Sequence, residues 1–172
     1  MDLDALLEHR SERDTFLAEH YASPLPEEHQ ENFEGLHWFD PDEDWMVTGR
    51  FEPEDDARIP IPSTAGTTID YGLVGTAIVS IGERELRLAV VDDGDGGVFI
   101  PFRDTTAGHS TYEGGRYVRP EFRDDGTVTI DFNRAGNPWC VYDDEFTCPL
   151  PPPQNVLPFA VEAGERMWVA PE

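Results

Sequence analysis

The sequence predicts a mainly β fold, either a single antiparallel β-sandwich or a partly open β-barrel, with an N-terminal helix packed on it. Three observations carry that expectation. Glycine and proline are both abundant, at 15 each, as many short strands joined by tight turns require. Aromatic residues are plentiful, with 4 Trp, 5 Tyr and 10 Phe, far more than a disordered acidic chain would carry. From Trp45 onward apolar residues recur with period two, the mark of half-buried strands. A chain of 172 residues can bury a full-sized core, so one domain is expected over 1–172, with a helix at 3–21 and a β-rich body at 33–169.

The helix starts at Asp2 or Asp4, either of which can cap it. Leu3, Leu6, Leu7 and Arg10, continued by Phe16, Leu17 and Tyr21, form its packed side. Ser23-Pro24-Leu25-Pro26 ends it, because a residue before proline avoids helical geometry. The aromatic run Phe33 to Phe39 is expected to pack on the main core. In the first strand Trp45, Val47 and Phe51 share one face, and Met46, Thr48 and Arg50 the other. Glu52 to Arg58 reads as an acidic loop. Ile59-Pro60-Ile61-Pro62 reads as an edge segment, since alternate prolines withhold N–H donors. Thr76 to Val91 reads as a hairpin, with Gly82-Glu83 as its two-residue turn. Asp92 to Gly97 forms the next turn. Val98 to Phe102 is apolar on both faces, which suits a central strand covered on both sides. Tyr117-Val118, Thr127 to Phe132 and Trp139 to Tyr142 are further strands, and Phe159-Ala160-Val161 closes the sheet.

Charge bounds the partners. Acidic residues number 36 against 12 basic ones, for a net charge of −24, and every basic residue is arginine. At a screening length of about 3 Å in molar salt such self-repulsion is suppressed. In dilute buffer it is not, so stability is expected to rise with KCl. The composition suits the cytoplasm of an extreme halophile. Without a basic stripe to meet phosphates, nucleic acid is an unsuited partner. No apolar run reaches membrane-spanning length, and Met1-Asp2-Leu3-Asp4 has no basic or apolar leader character, so a cytoplasmic location is expected, with no membrane partner. The charge is uneven: residues 1–60 carry 18 acids and 4 Arg, whereas residues 101–166 carry 11 acids and 6 Arg.

The candidate chemistry lies in that C-terminal half. Arg103, leaving an apolar strand beside Asp104, reads as a buried ion-pair member or an anion clamp. Gly114-Gly115, before Arg116 and Tyr117, allows a sharp turn. On Thr127 to Asn133 the residues Val128, Ile130 and Phe132 face the core. Asp131 and Asn133 face the other way, which makes Asp131 a candidate cross-strand partner for Arg103 or Arg116. Asn137 precedes Cys140, and seven residues separate Cys140 from Cys148. That spacing is neither a zinc knuckle nor a dithiol redox motif. Reduced thiols, a disulfide, and a metal-bound or reactive thiol all remain open for this pair. Asp92 to Asp95 lacks the spacing of a calcium loop, and the phosphate-loop, HExxH and Gly-x-Ser-x-Gly patterns are absent. No cofactor or metal is therefore expected. Arg103, Asp104, Arg116, Tyr117, Asp131, Asn133, Asn137, Cys140 and Cys148 form the candidate set, as a structural network or as a site for a small anionic or polar ligand. The alternative is an enzyme using Asp131 as base or Cys140 as nucleophile.

The segments Phe99 to Asp104, Thr111 to Tyr117, Ile130 to Ala135, Asn137 to Cys140, Thr147 to Asn155 and Ala163 to Glu165 keep the order and spacing of one family. By them the chain resembles domain of unknown function 1684. The likeness is weaker over Phe33 to Phe51 and the N-terminal helix. Members are often longer, with an extra β-rich segment after the helix that this chain lacks. Their usual Asn-Pro-Pro-Cys is Asn137-Pro138-Trp139-Cys140 here. The resemblance implies a shared fold and a shared polar cluster, with no known activity.

Overall fold

The computed structural model describes residues 1–170. Its seven strands are β1 (Met46–Pro62), β2 (Thr68–Ile81), β3 (Arg84–Asp92), β4 (Val98–Phe102), β5 (Arg116–Val118), β6 (Glu121–Phe122) and β7 (Thr127–Asp131). They form one antiparallel sheet in the order β5-β4-β3-β2-β1-β7-β6, curled into a half-barrel. The partly open barrel is thus the architecture, and no second sheet closes a sandwich over it among the described residues.

Helix α1 (Leu3–Glu19) is capped by the Asp2 carboxylate, which accepts from the Ala5 N–H at 3.1 Å. It stops short of Tyr21, at His20. Leu6, Arg10 and Leu17 are buried along one stripe, whereas Leu3 and Leu7 remain exposed. A one-turn helix, α2 (Glu27–Gln30), follows the proline segment. The aromatic run after it does not join the main core. Leu17, Leu25, Leu36 and Tyr142 make a separate small core beneath α1, joined by Phe33 and Trp38.

The hairpin β2–β3 turns at Gly82-Glu83, with Ile81 opposite Arg84. Its alternation buries Ala77 and Val79 on one arm and Leu86, Leu88 and Val90 on the other. Ile100, Phe102, Val118, Val128, Ile130 and Phe132 complete that main core. The other face of β4 is covered too. Phe99 packs with Ile61, Val91, Tyr71 and Tyr117 in a second apolar layer, so β4 is buried on both sides.

Three expectations fail for physical reasons. Glu52 to Arg58 is not a loop, because β1 runs through it, with an irregularity between Pro53 and Ala57 where the register to β2 shifts. Its side chains are nearly all exposed, so no apolar alternation marks the strand. The Ile59 to Pro62 segment does lie at an edge, since β7 pairs only with Met46 to Arg50. Trp139 to Val141 is a 3-10 turn led by Pro138, not a strand. Phe159 to Val161 has no ladder partner, although Val161 is buried in the main core and the Thr105 N–H bonds Phe159 O at 3.2 Å. β6 and the first half of β2 carry no clear apolar alternation.

Candidate functional site

Arg103 and Arg116 part company in the structure. Period two along β4 points Ile100 and Phe102 into the core, and the residue after Phe102 points out. Arg103 is accordingly exposed and carries no ion pair among the described residues. Asp104, back in phase, is buried with Arg116 at 2.9 Å. The Asp104 carboxylate also accepts from the Thr106 N–H (2.8 Å), the Thr106 hydroxyl (2.6 Å) and the Val161 N–H (3.2 Å). Arg116 donates to the carbonyls of Val161 at 2.8 Å, Glu165 at 3.2 Å and Ala163, and lies over the Phe102 ring. Burial lowers the pKa of the guanidinium while Asp104 opposes that shift. Gly115 makes the approach possible: its φ is +92°, and a Cβ there would stand 2.4 Å from Phe102 O and 3.0 Å from Pro151. This pair is a structural clamp on the 161–165 segment.

A second buried cluster centres on Glu165, fully shielded from water. Arg13 meets it at 3.0 Å from α1, the Asn137 N–H at 2.9 Å and the Asn137 side-chain amide at 2.7 Å, and Tyr142 OH bonds it as well. Arg13 also donates to Asn137 O at 2.9 Å. Burial lowers the Arg13 pKa, but the Glu165 charge and Tyr142 outweigh it, so the net shift is upward. Burial, then Glu165, raises the Tyr142 phenol. Gly136 leaves room, since a Cβ there would sit 2.9 Å from the Arg13 guanidinium carbon. The candidate set missed Arg13 and Glu165. The helical spacing Leu6, Arg10, Arg13, Leu17 was the available signal for Arg13.

Asp131 does not reach Arg103 or Arg116. The strand breaks at Asp131 into a 3-10 turn (Phe132–Arg134), and Asp131 caps it, accepting from the Asn133 N–H at 3.1 Å. That turn brings Arg134 round to Asp131 at 3.5 Å. Asn133 is buried and exchanges bonds with the Asp42 backbone at 2.8 and 3.0 Å, while Arg10 donates to Asn133 O at 3.2 Å. Asn155, also overlooked, bonds Ala89 through both N–H and C=O and reaches Pro101 O at 2.7 Å. It replaces ladder bonds where β3 and β4 diverge.

Against the apolar layer of Phe99, Tyr71 and Tyr117 opens a cleft of about 630 Å³. Trp139 and Phe146 line its outer side. Arg13, Arg119 and Arg134 line it as well, with Asp93 and Glu121. Arg119 is held by Asp93 at 2.8 Å. Arg134 meets Asp131 only through Nε, and among the described residues no hydrogen bond engages its terminal nitrogens. His9 lines the cleft from α1, and its Nε2 is buried with no protein partner. Burial, then the charges of Arg134 and Arg13, lowers its pKa, so the imidazole is neutral at pH 7. Of the candidate set, Tyr117, Asn137 and Cys148 line this cleft. Tyr117 donates to Pro149 O at 2.5 Å, and burial raises its pKa.

Cys140 and Cys148 are free thiols. Among the described residues no group of three or more His, Cys, Asp or Glu side chains is placed to hold a metal ion. The groups acting on the Cys140 sulfur are Cys148, Tyr112 and Thr64, and none is an imidazole. Among the described residues no helix is long and apolar enough to cross a membrane.

Residues 31–166 match the family described as protein of unknown function (DUF1684). The solution NMR structure of an uncharacterized protein from gene locus rrnAC0354 of Haloarcula marismortui is similar, with a TM-score of 0.73 and 36% identity, over 96% of this chain and 97% of that one. No curated protein matches the chain.

Proposed function

We propose that this chain, which belongs to the family described as protein of unknown function DUF1684, binds a small anionic ligand with an aromatic or apolar body. The observation that carries this reading is Arg134, whose terminal nitrogens have no protein hydrogen bond among the described residues, at an aromatic-floored cleft in a chain of net charge −24. A cleft of about 630 Å³ falls within the roughly 300–1,000 Å³ of small-molecule sites. The Arg134 terminal nitrogens supply a planar fork suited to a carboxylate, sulfonate or phosphate. Tyr71, Phe99 and Tyr117 supply the face for a ring. The buried Arg116 and the half-buried Arg13 are committed to protein carboxylates, so they hold the fold rather than the ligand. An enzyme using Asp131 as base has no support, because Asp131 is spent on capping and on Arg134, and no imidazole stands beside Cys140 to give it a His-assisted hydrolytic role. The acidic chain and the free thiols fit a cytoplasmic protein that binds neither nucleic acid nor membrane.

The test is a titration with anilinonaphthalene sulfonate in molar KCl, read by energy transfer from Trp139. Saturable binding is expected, with the uncharged ring system binding more weakly. Arg134→Gln is expected to weaken it roughly tenfold, the loss of one charge-assisted contact. Equal binding of the neutral ring, or indifference to Arg134→Gln, overturns the reading.

A further inference from the structure

Two thiols meet beside this cleft, which Cys148 lines. Cys140 is half-buried on the 3-10 turn Trp139–Val141, and Cys148 is buried beside the cleft surface. The Cys140 N–H donates to the Cys148 sulfur at 3.4 Å, which holds that sulfur against the residue bearing the other thiol. The Cys148 backbone is fixed in turn, its N–H bonded to Thr64 Oγ1 at 3.0 Å. Tyr112 OH lies 3.8 Å from the Cys140 sulfur. We propose that Cys140 and Cys148 are an oxidant-responsive pair, in which Cys140 attacks a small hydroperoxide and Cys148 resolves the product as an intramolecular disulfide.

The geometry divides the two roles. Cys140 is the thiol that solvent reaches, and it has two hydroxyls and a thiol around it as donors. Hydrogen bonding from Cys148, then from Tyr112 and Thr64, brings its pKa down to about 7 against the opposing effect of burial. The same Cys140 contact, with burial, pushes Cys148 well up, so it keeps its proton until the second step. In the first step the Cys140 thiolate attacks one peroxide oxygen. The S–O bond forms, the O–O bond breaks, and the leaving alkoxide, or hydroxide when the oxidant is hydrogen peroxide, takes a proton from water to become the alcohol or water. Cys140 is then a sulfenic acid. In the second step Cys148 sulfur attacks Cys140 sulfur. The S–S bond forms, the S–O bond breaks, and hydroxide leaves with the Cys148 proton as water. The thiols are oxidised and the hydroperoxide is reduced. The disulfide ties the turn carrying Trp139 to the segment Thr147–Pro149, both of which line the cleft. The proposal stands on the thiols alone and does not depend on what the cleft binds.

Three readings test it on the folded chain in molar KCl. Iodoacetamide alkylation, localised by mass spectrometry, is expected to modify Cys140 with a midpoint near pH 7 and to leave Cys148 largely unreacted. One equivalent of hydrogen peroxide is expected to convert the wild type to a monomeric species lighter by two hydrogens. In Cys148→Ser the sulfenic acid is expected to persist at Cys140 and take up dimedone, whereas in Cys140→Ser labelling at Cys148 falls by about tenfold or more. Tyr112→Phe is expected to slow alkylation of Cys140 at pH 7. Equal labelling of Cys148 in Cys140→Ser overturns the proposal. So do disulfides formed only between chains, and a wild-type rate no faster than that of the urea-unfolded chain.

Discussion

Arg116 meets Asp104 at 2.9 Å with side chains 0% and 2% exposed, whereas Arg134 meets Asp131 at 3.5 Å with side chains 34% and 13% exposed. Both pairs join arginine to aspartate in the C-terminal half of the chain. The difference lies in what surrounds them. Asp104 accepts from a guanidinium, two backbone N–H groups and a hydroxyl, and Arg116 spreads its charge over three carbonyls. Once dehydrated, neither can lose the other cheaply. Asp131 divides its oxygens between a 3-10 cap and one long contact to Nε, so the rest of the Arg134 fork faces the cleft without a protein bond among the described residues. The same two side chains thus make a clamp where water is excluded and, where it is not, leave a guanidinium fork open to the cleft.

That contrast breaks or sharpens most visibly at Asp104. Asp104→Ala strands the Arg116 charge in the core and is expected to cost about 3–5 kcal/mol. Denaturant unfolding at constant molar KCl measures it, and a cost near that of a surface pair would erase the distinction. Gly136→Ala comes next. Its Cβ meets the Arg13 guanidinium and must push it off Glu165, at an expected cost of about 1–3 kcal/mol seen as a lower Tm. His9 should give a smaller, pH-dependent effect. Its folded pKa lies below the ordinary 6.5, so the unfolded chain binds the proton more readily. This contribution is therefore present above the ordinary value of 6.5 and is lost as the pH falls from there through the lower folded pKa. His9→Gln is expected to flatten this part of the pH–stability curve, and an unchanged curve would remove His9 from the account. Arg134→Gln is expected to change stability least, by about 0–1 kcal/mol in the same unfolding experiment.

The sequence declared its elements wherever burial imposed a period. The Gly82-Glu83 hairpin, the doubly covered β4 and the Val128, Ile130, Phe132 face were legible because core contact selects their side chains. β1 was cut short because Glu52 to Arg58 is held by backbone pairing to β2 while its side chains face water. Trp139 to Tyr142 looked like a strand, yet Pro138 leads it into a turn and no neighbouring strand is there to pair with it. Among site residues, neither the burial of Arg116 and Asn133 nor their partners could be read locally, since strand alternation turns Asn133 away from Val128, Ile130 and Phe132 until the 3-10 turn after Asp131 brings it inward. Arg103 is no buried ion-pair member because the period of β4 carries it outward one residue past Phe102. Arg13 and Glu165 lie 152 positions apart, and the burial that joins them leaves no local mark beyond the helical stripe. His9 and Arg134 became visible only when the turn after Asp131 placed them at one cleft.

The most direct measurement is made on Arg134→Gln alone, with anilinonaphthalene sulfonate affinity and Tm recorded in the same molar KCl buffer. A roughly tenfold weaker affinity at an unchanged Tm is expected if the Arg134 fork serves a ligand and the buried clamps serve the fold. Unchanged affinity, or a fall in Tm on the scale of Asp104→Ala, would contradict it.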